Sequence, residues 1–94
     1  MIIAVDYDDT LVHGKDLNVP LISRLQAAQR QGHKVILWTC RAGPSLTEAY
    51  NNLLSHGFRP DLVNRNAPEA VRAFGHDSRK IYADVYIDDK AVKP

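Results

Sequence analysis

Ile2-Ile3-Ala4-Val5-Asp6-Tyr7-Asp8-Asp9-Thr10-Leu11-Val12 changes character in its middle. Ile2 to Val5 form a short apolar run rich in β-branched side chains, which suits a strand buried on both faces of a sheet. The polarity then flips. Asp6, Asp8, Asp9 and Thr10 put four oxygen-bearing side chains into five positions, where the strand should emerge at its carboxyl end. In open α/β sheets that end of the strands is where ligands bind. Three carboxylates packed so closely repel one another and ask for a compensating cation, for which a hard, oxygen-seeking ion such as Mg²⁺ is the natural candidate. Taken alone, the stretch also fits a strand running into an acidic, solvated turn, since Asp and Thr are ordinary turn residues. The rest of the chain decides between the two.

Downstream, His13-Gly14-Lys15-Asp16 reads as a short loop or tight hairpin that leaves no room for an inserted lid. Pro20 suits the first turn of a helix, whose apolar face is Leu21, Ile22, Leu25 and Ala28 and whose end is Gly32. His33 to Thr39 is a second apolar strand that again turns polar at its end. Gly43-Pro44 opens a second helix with Leu46, Ala49, Tyr50, Leu53 and Leu54 on its buried face, stopped by Gly57. Asp61 to Asn64 is a brief third strand, residues 66–75 a loop with a turn or two of helix from Pro68, and Ile81 to Ile87 a last strand running into Asp88-Asp89-Lys90. This order predicts an α/β domain with a short parallel sheet and right-handed crossovers. Only five residues follow Asp89, so the last strand lacks a covering helix: a partner chain covers that face, or the polypeptide is shorter than its relatives.

At 94 residues the chain is expected to form one domain with one core, spanning residues 1–94. Twelve basic residues against 11 acidic ones give a net charge of +1 with no run of like charge, so nothing calls for nucleic acid or an anionic membrane as partner. Cys40 is the one cysteine, which rules out an internal disulfide and a cysteine-rich metal site. No segment approaches the roughly 20 apolar residues that cross a bilayer. The expectation is a soluble, cytoplasmic protein.

Three strands therefore end in polar groups: Asp6/Asp8/Thr10, Thr39/Arg41 and Asp88/Asp89, with Lys80 just before the last strand. A parallel sheet brings such ends together in one crevice. Asp6-x-Asp8-x-Thr10, Thr39 at the end of an apolar strand, Lys80, and Asp88-Asp89 at the end of another resemble the four ordered motifs of the haloacid dehalogenase (HAD) superfamily. The resemblance runs from Ile2 to Lys90. Residues 37–41 and 78–89 are similar to a small, capless phosphatase-like group, some members of which are linked to bacterial capsule polysaccharide synthesis.

What the resemblance implies is a Rossmann-like three-layer domain without a cap, its four strands ordered 4-1-2-3, and a Mg²⁺-dependent phosphohydrolase. Asp6 would be the nucleophile that forms an aspartyl-phosphate. Asp8 would serve as general acid and then base, with its backbone carbonyl on the metal. Asp6, Asp8, Asp88 and Asp89 would hold the metal. Thr39 and Lys80 would bind phosphoryl oxygens, although neighbouring Arg79 could be the working cation. Thr10 and Arg41 complete the substrate-binding set, Thr10 by orienting its loop more than by touching substrate, Arg41 as a clamp on phosphate. Asp9 stands where relatives commonly carry glycine and adds negative charge near an anionic substrate.

Alternative readings accompany each residue. Thr39 is otherwise an ordinary strand-end threonine, Lys80 a solvated lysine, Asp88-Asp89 a helix cap or acidic turn, and Arg41 a surface arginine. Cys40 reads as a small buried hydrophobe and Trp38 as core. His13, His33, His56 and His76 lack metal-ligand spacing, and only His13, in the loop after the first motif, suggests a role. Without a lid the site excludes water poorly, so the substrate, a phosphorylated small molecule or polymer, covers the crevice itself or a second subunit does. Sugar phosphates, nucleotides and larger phosphorylated molecules all fit, and a homo-oligomer covering the open site or the sheet face stays open. Two rivals belong to other classes: a non-catalytic Mg²⁺-binding interaction domain, and a receiver-like domain that keeps phosphate on Asp6. The second fits less well, because a receiver's paired acids precede its phosphorylated aspartate by a whole strand.

Overall fold

The computed structural model describes residues 1–74, 81–88 and 92–93. The apolar opening run forms strand β1 (Ile2–Asp6), buried until its last residue. Past the Asp8–Thr10 loop the chain makes a small hairpin, β2 (Val12–His13) and β3 (Asp16–Leu17), turned through Gly14 at φ 64. Helix α1 (Val19–Arg30) has Asn18 as its cap, the side chain accepting the Leu21 N–H at 3.3 Å, and Pro20 in the first turn, where a missing N–H costs nothing. Strand β4 (Lys34–Trp38), helix α2 (Gly43–Ser55) and the two-residue β5 (Leu62–Val63) follow. Helix α3 (Pro68–Phe74) and strands β6 (Val85–Ile87) and β7 (Val92–Lys93) complete the described chain.

The main sheet is ordered β5-β4-β1-β6-β7. Its first four strands are parallel, in the order expected for the four sequence-predicted strands. Strand β7, which the sequence reading lacked, pairs antiparallel to β6 through Tyr86↔Lys93 and Ile87↔Val92. The outer edge of β6 is thus covered by the chain's own following residues.

Alternation along β1 and β4 supplies apolar side chains to both faces of the sheet. Ile3, Val5, Val35 and Leu37 pack with Ile22 and Leu25 of α1, Ala49 and Leu53 of α2, and Phe58. Ile2, Ala4 and Ile36 pack with Ala67, Ile81 and Ala83. Leu54, expected on the buried face of α2, is exposed instead, one position beyond the helix stripe that Ala49 and Leu53 define.

The last predicted strand is shorter than its apolar run. Only Val85–Ile87 pair with β1, because polar side chains capture the backbone of the residues before them. The Tyr86 hydroxyl donates to the Ile81 carbonyl at 2.7 Å and accepts from the Ala83 N–H at 3.0 Å. Asp84 holds the first residue of β1 twice: its N–H donates to the Ile2 carbonyl at 2.8 Å and its carboxylate accepts the Ile2 N–H at 2.7 Å. Asp61 repeats the device on Val35 of β4, with bonds of 2.9 and 2.8 Å.

Candidate functional site

The carboxyl ends of β4, β1 and β6 lie side by side, with β1 in the middle. Asp6 ends β1 and is paired in register with Trp38, the last residue of β4. Thr39 follows directly. On the other side, the ladder ends at Val5↔Ile87, so the next residues, Asp6 and Asp88, leave adjacent strands at the same level. Residues 82 positions apart in the chain thereby meet at one edge.

Beyond Asp6 the chain wraps around a single carbonyl. Tyr7 O accepts the N–H groups of Thr10, Leu11 and Val12 at 3.3, 3.0 and 3.2 Å. Asp9 enables this turn with φ 61, the left-handed region that glycine occupies freely and Asp tolerates better than most side chains. A glycine preference at this position therefore has a backbone cause. One Asp6 carboxylate oxygen accepts the Tyr7 N–H at 2.9 Å, which fixes the side chain relative to the turn. Thr10 is buried, with 4% of its surface exposed, and its hydroxyl finds no partner among the described residues. Its carbonyl takes the Asn18 amide at 3.1 Å, tying the loop to the cap of α1.

Asp8 projects outward, with 53% of its side chain exposed, into a two-point ion pair with Arg41. Arg41 Nη2 donates to Oδ1 at 2.8 Å and Nε to Oδ2 at 3.0 Å, the bidentate geometry that suits a guanidinium and a carboxylate. The guanidinium carbon also sits 4.9 Å from the centroid of the Tyr7 ring, and Nη1 donates to the Ser45 carbonyl at 3.3 Å. Tyr7 itself is buried, its hydroxyl accepting the Asn52 amide at 3.0 Å. The hydrogen bond from Arg41 holds the Asp8 carboxyl below the usual carboxylate range, against the opposing effect of its slight burial.

Thr39 is held by a residue that sequence reading treated only as a strand end. Asn64 accepts the Thr39 N–H at 2.8 Å and donates its amide to the Thr39 carbonyl at 2.9 Å, while its own N–H reaches the Leu37 carbonyl at 2.8 Å. Its φ of 51 is again left-handed, where Asn is several-fold enriched. The signal was an Asn directly after a short apolar strand. The Thr39 hydroxyl accepts the Arg41 N–H at 3.1 Å, closing the turn that carries Arg41 toward Asp8.

Two expectations are corrected here. Trp38 is not core: 43% of its surface is exposed. Cys40 is exposed, not buried. Thr39 between them is buried, its backbone bracketed by Asn64, and the residues flanking it face the other way at the strand end. Asp6, Trp38, Thr39 and Cys40 line a cavity of about 180 Å³. Of the other expected site residues, Lys80 and Asp89, together with Arg79, lie outside the described residues. Among the described residues, no group of three or more His, Cys, Asp or Glu side chains is arranged to hold a metal ion. No helix of the described residues is long and apolar enough to cross a membrane.

No protein-family model and no curated protein matches this chain. The solved structure of a conserved protein coded by a locus of Bacteroides thetaiotaomicron is similar to it, with a TM-score of 0.80 at 33% sequence identity. The match covers 97% of this chain and 77% of that one. With a third of its residues identical over nearly its whole length, the chain belongs to the family of that conserved Bacteroides protein.

Proposed function

We propose that the protein is a HAD-type phosphohydrolase, a Rossmann-like three-layer domain without a cap that cleaves phosphate monoesters through an aspartyl-phosphate. The observation that carries this reading is the convergence of Asp6, Thr39 and Asp88 at the ends of three adjacent parallel strands, with Asp8 directly after the central one. The sheet edge thus gathers two carboxylates and a hydroxyl that are scattered in the chain, the groups that this reading needs as nucleophile, metal ligand and phosphate-binding donor.

In the first step an Asp6 carboxylate oxygen attacks phosphorus, the bond from phosphorus to the ester oxygen breaks, and Asp8 protonates the leaving oxygen. In the second, water attacks the phosphorus, Asp8 takes its proton, and the bond to Asp6 breaks to release orthophosphate. Thr39, whose hydroxyl accepts from the Arg41 N–H, keeps its O–H to donate to a phosphoryl oxygen. Arg41 is committed to Asp8 in the resting site. A phosphate dianion competes with Asp8 for the same guanidinium fork, so substrate entry frees the Asp8 carboxylate from the contact that depresses it, and Asp8 takes up a proton from solvent to serve as the acid of the first step.

The donor set suits a hard cation: Asp6 and Asp88 leave adjacent strands at one level, all the donor atoms are oxygen, and the Asp8 carbonyl follows Asp6 by two residues. Asp6, the Asp8 carbonyl and Asp88 would hold Mg²⁺, with Asp89 acting through water. The ion would screen the phosphate's charge from the attacking carboxylate.

Steady-state hydrolysis of p-nitrophenyl phosphate with and without Mg²⁺, beside Asp6→Asn, tests the proposal. Mg²⁺-dependent turnover that falls by at least about 10³-fold in Asp6→Asn supports it. A folded protein that binds Mg²⁺ and turns over nothing points to a non-catalytic binding domain. Phosphate that persists on Asp6 points to a receiver-like switch.

A further inference from the structure

Trp38 is the chain's single tryptophan, it sits on a strand, and it is nonetheless 43% exposed. Its place is specific: it is the cross-strand partner of Asp6, and it lines the same cavity as Asp6 and Thr39. Adjacent strands run about 4.8 Å apart, so the indole stands immediately beside the group that attacks phosphorus. Tyr86 braces it edge-on, with ring centroids 6.0 Å apart and planes inclined at 68°. Tyr86 cannot swing freely, because its hydroxyl is fixed by Ile81 and Ala83. The small Ala4, fully buried between β4 and β6, is the register partner of both Ile36 and Tyr86, leaving room for the two rings to meet across β1.

We propose that Trp38 is the platform for the substrate's organic group, and that the substrate class is sugar phosphates whose phosphate is esterified directly on the ring. This rests on the phosphohydrolase reading of Asp6. The position of the indole selects the ring. A residue next to the nucleophile meets the first group beyond the ester oxygen. In an aldose 1-phosphate that group is the pyranose ring, whereas in a nucleotide the base lies a ribose and a methylene further away. The one-sided character of the site selects a sugar over an aryl ring. Trp38, with Cys40 beside it, supplies the apolar wall, while Asp6 and Thr39 contribute the polar groups. A pyranose offers one C–H face to an indole and hydroxyls to everything else, whereas an aryl ring would leave its second apolar face against polar groups and water.

The test compares kcat/KM for α-D-glucose 1-phosphate, glycerol 3-phosphate, adenosine 5′-monophosphate and p-nitrophenyl phosphate in the wild type, Trp38→Ala and Trp38→Phe, together with inhibition by orthophosphate. The wild type is expected to prefer the sugar 1-phosphate to the acyclic ester by about tenfold or more, Trp38→Phe to keep most of that preference, and Trp38→Ala to lose it. Inhibition by orthophosphate, which has no ring, should stay within about twofold across all three. Equal losses on every ester and on orthophosphate in Trp38→Ala would reduce Trp38 to a structural role and overturn the proposal. A wild-type preference for the nucleotide or the aryl ester would overturn it too. Should no ester be hydrolysed, the phosphohydrolase reading fails, and the platform is judged on binding alone. Tryptophan fluorescence of Asp6→Asn reports on Trp38 only, and a change with glucose 1-phosphate but not with glycerol 3-phosphate or orthophosphate supports the platform, while an equal or absent response sinks it.

Discussion

Replacing Asn64 with alanine probes the least expected part of the site. The side chain makes two partly buried hydrogen bonds to the backbone of Thr39, at 2.8 and 2.9 Å, and the residue has φ 51. Each bond contributes about 0.5–1.5 kcal/mol. Thr39 is buried, so its orphaned N–H and C=O push the loss toward the upper end. Alanine in the left-handed region adds about 1 kcal/mol that asparagine largely avoids. The expected destabilisation is therefore about 2–4 kcal/mol, a fall in Tm of about 10–25 °C for a domain of this size. Asn64→Gly separates the two causes: it loses the same bonds but accepts φ 51 without strain, so it should be less damaging by up to about 1 kcal/mol. Urea denaturation measures the stabilities, and kcat/KM on a phosphate monoester measures whether Thr39 has moved. Both variants should lose activity even at temperatures where they stay folded. If Asn64→Ala unfolds within about 0.5 kcal/mol of the wild type and hydrolyses normally, the bracket does not position Thr39.

Thr10→Val removes a buried hydroxyl that has no partner among the described residues while keeping the shape of the side chain, so the protein should gain about 1 kcal/mol, read as a rise in Tm of about 4–8 °C, with kcat/KM within about twofold of the wild type. Arg41→Met removes the donor that depresses the Asp8 carboxyl, so the Asp8 titration followed by NMR should move up toward the ordinary value of about 3.9. Because the folded-state pKa of Asp8 is the lower one, the pair's contribution to stability is present above that ordinary value and fades as pH falls through the depressed one; the gap between wild type and Arg41→Met in thermal unfolding should close on acidification and also shrink with added salt.

The parallel sheet and its strand order were legible because the signals that specify them are short-range and redundant. Ile2–Val5 and Val35–Leu37 are β-branched or aliphatic runs, Pro20 and Pro44 mark helix starts, and Gly32 and Gly57 mark their ends with φ of 92 and 86. The polar residues at the strand ends were legible for the same reason. What could not be read was the work of single polar side chains on distant backbone. Nothing local in Asp84 says that it will hold Ile2, 82 residues away, just before β6 begins. Nothing in Asn64 says that it will bracket the backbone of Thr39, 25 residues away. Alternation alone assigns Trp38 to the face of Ile36 and Tyr86, and it cannot tell that this face opens to solvent at the strand end. The Asp8–Arg41 pair was missed because each residue had been given its own role toward substrate, and neither spacing nor composition ties residues 33 positions apart.

Those polar contacts share a purpose that follows from strand length. Register in a sheet is normally fixed by many cross-strand pairs, and a slip of one residue sends every side chain to the opposite face. Strand β5 has two residues and β6 has three, too few to hold register through packing alone. Asp61 and Asp84 each stand one residue before these strands, and each binds both the N–H and the C=O of a neighbouring-strand residue, extending the ladder with a side chain. Asn64 does the same at the opposite end of β5, on Thr39. A slip of β6 against β1 would move Asp88 off the level of Asp6, and a slip of β5 would pull Thr39 from the cavity. The clamp at Asp84 thus sits at the far end of β1 from the candidate catalytic groups, yet it sets the distance between the two carboxylates on which the proposed metal site depends.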